Sequence, residues 1–489
     1  MDRIFTVAII GCGSRGAEAY GREMFEQKDK WKIVSVCDTN PVKTAKYGEI
    51  FAVSEENRFC DEFEFFKEKR ADALIIATMD NDHVRQCKRA LELGYDVLLE
   101  KPITANEEEC RSLLEAHRRY GKKVMVCHVL RYAPAFVKLK ELLEKKVCGE
   151  PVMIDSIEQV CYWHQAHSFV RGNWRNSDET SPMILQKCCH DLDLLQYYAE
   201  SRCESISSIG DLRFFKAENK PEGAADRCAD CKLWKDCTYS AQNIYIGNWK
   251  SIGSPENCWP YNAITTAVPQ TEENLTEAIK TGPYGRCVFA CDNNVVDNQI
   301  VMAHFRNGVN ANLRMTAFTA GGGRIMKFYC TQGEIDFEDA LNRIAVRRFN
   351  QPEEIIDVNT LHFEGGHNHG GGDGGHEPRA VRDRCFTQEK GRCKHEHERR
   401  HIPKPPRERA GDKIPGRRTE DAREPAETAA RARRHCHAER RARAEHPHAP
   451  RHKTQREMRA ERSGLDRRRA VDAQRLPFPR ISQQHGLIS

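Results

Sequence analysis

The chain has 489 residues, 39% of them hydrophobic and 30% charged, which allows two or three domains with real cores and excludes a small disulfide-stapled module. No run approaches the roughly 18 consecutive apolar residues of a membrane span, and the opening MDRIFTVAIIGCG enters a strand-like segment without a secretory apolar region. The 21 cysteines are expected as reduced thiols or metal ligands in a cytoplasmic protein rather than as disulfides.

In chain order, Phe5 to Ile10, Lys32 to Cys37, Ala73 to Ala77, Asp96 to Leu99 and Lys123 to Val126 are short, continuously apolar runs. Such runs suit parallel strands buried on both faces. Helical stretches lie between them: Asp82 to Leu93, and Ala105 to Arg119, which opens on Thr104 and Glu107 at capping-box spacing. Alternating strands and helices predict an α/β fold with a doubly wound sheet.

The first strand runs into Gly11-Cys12-Gly13-Ser14-Arg15-Gly16, a helical segment follows, and Asp38 ends the next strand. Glycines there let the backbone and a helix N-terminus approach a pyrophosphate, and a carboxylate at the second strand's end accepts hydrogen bonds from an adenosine ribose. The segment predicts a dinucleotide site. Thr39, Asn40 and Pro41 follow Asp38 with no immediate arginine, which favours NAD over NADP, because the carboxylate repels a 2′-phosphate.

Glu100-Lys101-Pro102 follows the fourth strand, and further along stand Ala77-Thr78 before Asp82-His83, Cys127-His128-Val129-Leu130-Arg131-Tyr132 and Cys189-His190-Asp191-Leu192-Asp193. With the glycine fingerprint, this set resembles the glucose-fructose oxidoreductase / inositol dehydrogenase / MocA (Gfo/Idh/MocA) family over roughly residues 3–375. The resemblance implies a Rossmann domain (1–124) and a C-terminal α/β substrate domain (125–375) with an open mixed sheet that often mediates homo-oligomerisation. It also implies an NAD-dependent enzyme acting on a sugar-like substrate. It places Thr78, His83, Glu100 and Lys101 beside the cofactor, and His128, Arg131 and Tyr132 on the substrate side.

Hydride transfer from a secondary alcohol needs a base for the hydroxyl proton and a group to steady the developing alkoxide. The resemblance assigns Lys101 there, where a partly desolvated cleft can lower a lysine's pKa toward working pH. His190 is the second candidate, on a predicted helix from Met183 to Tyr198. Many family members carry an Asp four residues before this histidine; here the position is Gln186, followed by Lys187. Lys187 and His190 at i and i+3 are expected on one helical face, as catalytic groups gripping an anionic or densely hydroxylated substrate.

The stretch Tyr162 to Arg175 concentrates Trp163, His164, His167, Arg171 and Trp174. Aromatic faces beside polar groups suit a sugar ring, so Trp163, His167 and Trp174 are candidate substrate contacts; an interface or core loop is the other reading. Residues 217–265 form a polar, cysteine-rich insertion with Cys228-x2-Cys231-x5-Cys237. These thiols are candidate ligands of a structural zinc, with Cys258, Cys287 or Cys291 as a fourth, or else remain unliganded. Gly365 to Gly375 resembles the family's His- and Gly-rich loop, with His367 and His369 expected on the substrate side.

Charge divides the chain. Residues 1–375 hold 46 Lys and Arg against 55 Asp and Glu, and 376–489 hold 31 against 17. Those last 114 residues contain 26 Arg, 10 His, no Trp or Tyr and nine Val, Ile or Leu. They cannot offset their ordering entropy by apolar burial, and a basic tail without a compact fold is expected. Its composition is that of a GC-rich gene read in a shifted frame, which would remove the elements that close the second domain. The 17 acids and the lack of stacking aromatics argue against a nucleic-acid partner. Three functions compete: an NAD-dependent polyol dehydrogenase, a redox-neutral NAD-dependent glycosidase or lyase, and a non-catalytic nucleotide-sensing or nucleic-acid-binding protein.

Overall fold

The computed structural model describes residues 3–256 and 258–361; the Gly- and His-rich stretch with His367 and His369 and the basic tail lie outside them. The apolar runs at the N-terminus form β1 (Phe5–Ile10), β2 (Trp31–Cys37), β4 (Ala73–Ile76), β5 (Asp96–Leu99) and β6 (Val124–Val126), with a two-residue β3 (Arg58–Phe59) between β2 and β4. They build one parallel sheet in the order β3-β2-β1-β4-β5-β6. Val7, Ala8 and Ile9 on β1 are fully buried, because helices cover both faces. The strand order reverses direction between β1 and β4, and a crevice at their C-terminal ends is where such sheets take ligands.

Two helix expectations shift. The cap of helix Glu107–Tyr120 is Asn106, whose side chain accepts from the amides of Glu108 and Glu109. Thr104 instead hydrogen-bonds Glu109 through its hydroxyl and accepts the Asn106 amide. The predicted Met183 to Tyr198 helix is two helices, Met183–Gln186 and Cys189–Ala199, broken at Lys187 and Cys188.

The second sheet contains β7 (Pro151–Gln159), β8 (Cys203–Asp211), β9 (Asn298–Phe305), β10 (Asn310–Thr316), β11 (Gly323–Cys330), β12 (Gly333–Glu338), β13 (Arg343–Arg348) and β14 (Glu354–Asp357). Their order is β14-β13-β12-β11-β7-β10-β9-β8, parallel only between β7 and β10. Period-2 alternation turns Leu313, Phe328, Ile335 and Val346 inward onto Phe136, Leu194 and Tyr198 of the helices. The opposite face leaves Ile209, Ile300 and Met302 exposed. Residues 212–297, which connect β8 to β9, include the cysteine-rich insertion and pack around Phe215, Tyr245, Ile279 and Phe289 in a small core shared with Ala166, Val170 and Ala317.

Candidate active site

The glycine loop is shaped by contact at two positions and by open space at the third. Gly11 has φ +91°, and a Cβ there would lie 2.4 Å from the Ala77 carbonyl oxygen; a Cβ on Gly16 would lie 2.1 Å from that of Gly11. Both glycines let β1, the 77–78 loop and the next helix close together. A Cβ on Gly13 would meet nothing within 4 Å, so the backbone is open where a pyrophosphate would approach, with Ser14 opening the helical segment. Asp38 is fixed at the end of β2: its Oδ2 accepts the Cys12 amide and its Oδ1 the Asn40 amide, each at 2.8 Å. These features fit a dinucleotide.

Other residues expected at the cofactor are hydrogen-bonded to one another across these loops. The Arg15 guanidinium donates to Glu100 Oε1 at 2.8 Å and lies over the Tyr20 ring. Tyr20 donates to the same oxygen, and Glu100 Oε2 accepts the Lys101 amide at 2.9 Å. Burial pushes the Glu100 carboxyl up, but the Arg15 and Lys101 cations and the Tyr20 hydroxyl outweigh it and bring it down to about 2. Glu100 thus ties Arg15 to the Lys101 backbone. His83 is buried, with Nδ1 2.8 Å from the Pro102 carbonyl and Nε2 3.2 Å from that of Thr78. The Thr78 hydroxyl donates to Gln86. These contacts tie the 78 loop to the Lys101-Pro102 turn.

Lys101 crosses to the second domain: its Nζ donates to the Gln186 carbonyl at 2.8 Å, at the break between the two helices. The side chain thus stops beside the turn that begins the helix bearing His190. His190 is buried, and its ring stands edge-on to His128 with centroids 6.0 Å apart. His128 Nδ1 is 3.8 Å from Asp193 Oδ2. Burial lowers the His128 pKa; Asp193 opposes the shift, while Arg131 and Lys101 add to it. Arg131 is held bidentately by Asp193, at 2.7 and 2.5 Å, and lies over the Tyr197 ring. Its guanidinium is thus engaged by Asp193 and Tyr197 within the second domain. Tyr132 is half-buried beside it.

Lys187 departs from expectation. The helix break removes the common face with His190, and the Lys187 ammonium points to Glu158 Oε1 at 3.2 Å. Arg324 bridges Glu158 (2.7 Å) and Asp191 (2.7 and 3.1 Å), all deeply buried. Glu158 on β7 sits directly opposite Arg324 on β11, a cross-strand ion pair. Burial raises Asp191, Arg324 pulls it back and Glu158 adds to the rise, leaving it above the usual carboxylate range.

The aromatic stretch divides. His167 is a core residue: its ring stacks on Tyr284 at 4.7 Å, its Nδ1 is 3.1 Å from the Tyr245 hydroxyl, and burial with Arg171 nearby lowers its pKa to about 3. The expected sugar contact is thus a neutral packing histidine. Trp174 packs against the second-sheet core. Trp163 lies 5.2 Å from Trp259, which is partly exposed. His164 stands 5.0 Å from Trp259, and burial, Lys187, His167 and Lys101 hold its pKa well below the usual range. His164 is therefore a neutral ring in the field of both lysines.

The expected Cys228, Cys231 and Cys237 metal set is not assembled: among the described residues no three His, Cys, Asp or Glu side chains are gathered closely enough to hold an ion.

Two domain models of one family match the chain, an oxidoreductase-family NAD-binding Rossmann fold over residues 5–128 and an oxidoreductase-family C-terminal α/β domain over residues 140–346. The chain belongs to the Gfo/Idh/MocA oxidoreductase family. Among curated relatives it is 29% identical to oxidoreductase P35 of Formosa agariphila, over 40% of this chain and 61% of that one. It is 26% identical to an inositol 2-dehydrogenase/D-chiro-inositol 3-dehydrogenase of Shouchella clausii, over 41% and 54%. The matches thus span little more than half of those relatives. Among solved structures, an Azotobacter vinelandii inositol dehydrogenase homolog complexed with NAD+ shares the fold at a TM-score of 0.52 and 15% identity, covering 74% of this chain and 78% of that one. An Agrobacterium radiobacter oxidoreductase in complex with NAD+, L-tartaric acid and magnesium does so at 0.51 and 14%, covering 76% and 84%.

Proposed function

We propose that this family member is an NAD-dependent dehydrogenase that oxidises a secondary alcohol of a neutral sugar, cyclitol or related polyol. One observation carries the choice of substrate charge. Around the cleft, Arg15 is paired with Glu100, Arg131 with Asp193, Arg324 with Asp191 and Glu158, and Lys187 with Glu158. Lys101 alone of these cations has no carboxylate within ion-pair distance among the described residues; its Nζ rests on a carbonyl. A cation free of any direct carboxylate contact matches the single negative charge that develops on an alkoxide, and the paired cations leave none spare for a substrate carboxylate. The anionic grip expected of Lys187 and His190 loses its support.

NAD, when bound, supplies the hydride acceptor. Lys101 exchanges the hydroxyl proton and steadies the oxygen as charge develops on it. His190 hydrogen-bonds the same oxygen from the second-domain side, and the uncharged His128 and His164 rings offer further hydrogen bonds to a polyol. Asp38, held by two backbone amides, takes the adenosine ribose hydroxyls and disfavours the 2′-phosphate of NADP. A homo-oligomer would assemble on the open sheet face bearing Ile209, Ile300 and Met302.

The test is a screen of neutral sugars and cyclitols with the purified full chain and NAD, following NADH absorbance and product mass together. Accumulating NADH with a product two hydrogens lighter supports the proposal. Product formation without net NADH would replace it with the redox-neutral glycosidase or lyase reading.

A further inference from the structure

Trp259 is 37% exposed on a backbone whose flanks are held. Tyr261 is buried with Trp249 and Leu275, Cys258 packs against them, and the Trp249 indole donates to the Pro255 carbonyl at 3.1 Å. The Asn262 amide donates to the Cys258 carbonyl at 3.0 Å. Its neighbours are thus anchored while this indole keeps part of its surface in solvent. The ring is not isolated: its centre lies 5.2 Å from that of Trp163, 5.0 Å from His164 and 5.4 Å from His167. Trp163 and His164 are themselves only half-buried. They stand on the short helical turn Tyr162–His164, which follows β7 through Cys161. Cys161 has φ +66° and ψ 153°, a conformation that L residues rarely adopt, and is held there by Thr319, whose hydroxyl accepts the Cys161 amide and whose carbonyl accepts the Tyr162 amide, each at 3.1 Å. Strain of this kind persists where the surroundings over-determine it, and it clusters at ligand sites. The same turn borders the cleft. Glu158, three residues before Cys161, pairs with Lys187, and Gln186 beside that lysine receives Lys101 Nζ.

From this we infer that Trp259, carried by the connection between β8 and β9, is a specificity-determining residue: with Trp163 and His164 it forms a wall on which a ring-form substrate, a pyranose or a cyclitol, stacks its C–H face while its hydroxyl edge reaches toward Lys101. The inference rests on the neutral-polyol reading above and narrows it from polyols in general to rings. A pyranose or cyclitol carries C–H bonds on its face and hydroxyls around its edge, so it can cover an indole and still make hydrogen bonds. An open-chain alditol has no fixed face and must freeze several bond rotations to present one. His164, whose pKa is held low by burial, by Lys187 and His167, and by Lys101, is an uncharged imidazole able to donate to or accept from a ring hydroxyl. None of these contacts calls for a charge on the substrate, in keeping with the paired cations around the cleft.

The experiment uses the full chain with NAD and a panel of neutral pyranosides and cyclitols, set against open-chain alditols of equal carbon number, with turnover followed by NADH absorbance and by product mass. Wild type is expected to prefer the rings. Trp259→Ala should raise KM for a ring substrate about 3- to 10-fold, the range for one aromatic contact, with kcat and NAD affinity within a few-fold of wild type and KM for an alditol unchanged. Trp259→Phe, which keeps a flat face, should restore most of the loss. An unchanged ring KM in Trp259→Ala, or an equal rise for rings and alditols, would overturn the inference and leave the dehydrogenase reading standing. Product without net NADH would overturn that reading instead, and the same KM comparison, read by product mass, would still decide the role of Trp259. Hydroxyl-radical footprinting of wild type supplies a readout that needs neither turnover nor a folded variant: a saturating ring compound of the panel should protect Trp259 from oxidation, and oxidation unchanged by every ring compound would overturn the inference.

Discussion

Lys101 and Gln186 join the two domains at the centre of the cleft: the lysine Nζ from the end of β5 donates to the glutamine carbonyl at 2.8 Å, where the helix leading to His190 is broken. The backbone of Gln186, rather than a carboxylate, fixes the lysine. Lys101→Ala is expected to cut turnover by about 10²–10⁴, the range for removing a positioned acid or base, while NAD affinity measured by calorimetry stays within a few-fold of wild type.

The glycine loop separates folding from binding. Gly13→Ala adds a methyl group in open space at an ordinary backbone conformation, φ −93°, so thermal stability should be retained while NAD affinity falls at least several-fold. Gly16→Ala drives its Cβ into the Gly11 carbonyl oxygen, so stability should fall as well. Melting temperatures and NAD titrations of the two variants, side by side, check this.

Asp38→Ala removes a charged acceptor of ribose hydroxyls, a contact of roughly 1.5–3 kcal/mol, or about 10- to 150-fold in NAD affinity. Equal affinity in wild type and a folded variant would remove Asp38 from the site.

The Glu100 carboxyl gives a pH signature. Its folded pKa of about 2 lies below the ordinary 4.5, so the unfolded chain binds the proton more readily between those values. Its stabilising contribution, on the order of 3 kcal/mol, is present above about pH 4.5 and is lost as pH falls toward 2. Urea unfolding of wild type and Glu100→Gln across that window should show a shallower pH slope in the variant.

The first sheet was legible because buried parallel strands are continuously apolar, and β1 and β5 fall at the expected residues. The ionic core was not. Glu158 and Arg324 sit on inward-facing positions of their strands, as Ile154 and Phe328 do. Only the register that pairs β7 with β11 shows that one acid answers one base; each residue alone reads as a surface charge. Asn106 displaced Thr104 as cap because either residue can accept an amide and the choice depends on where the chain turns. The break at Lys187 was hidden for a similar reason, since the apolar spacing continues through it.

The most direct test of the account is NADH formation by wild type and Lys101→Ala, measured with neutral cyclitols and sugars and with the corresponding sugar acids at matched concentration. The cleft described here predicts NADH from at least one neutral polyol, a poorer rate with its carboxylated counterpart, and near loss of both in the variant at unchanged NAD affinity. NADH formed only from carboxylated substrates, or wild-type turnover in Lys101→Ala, would contradict it.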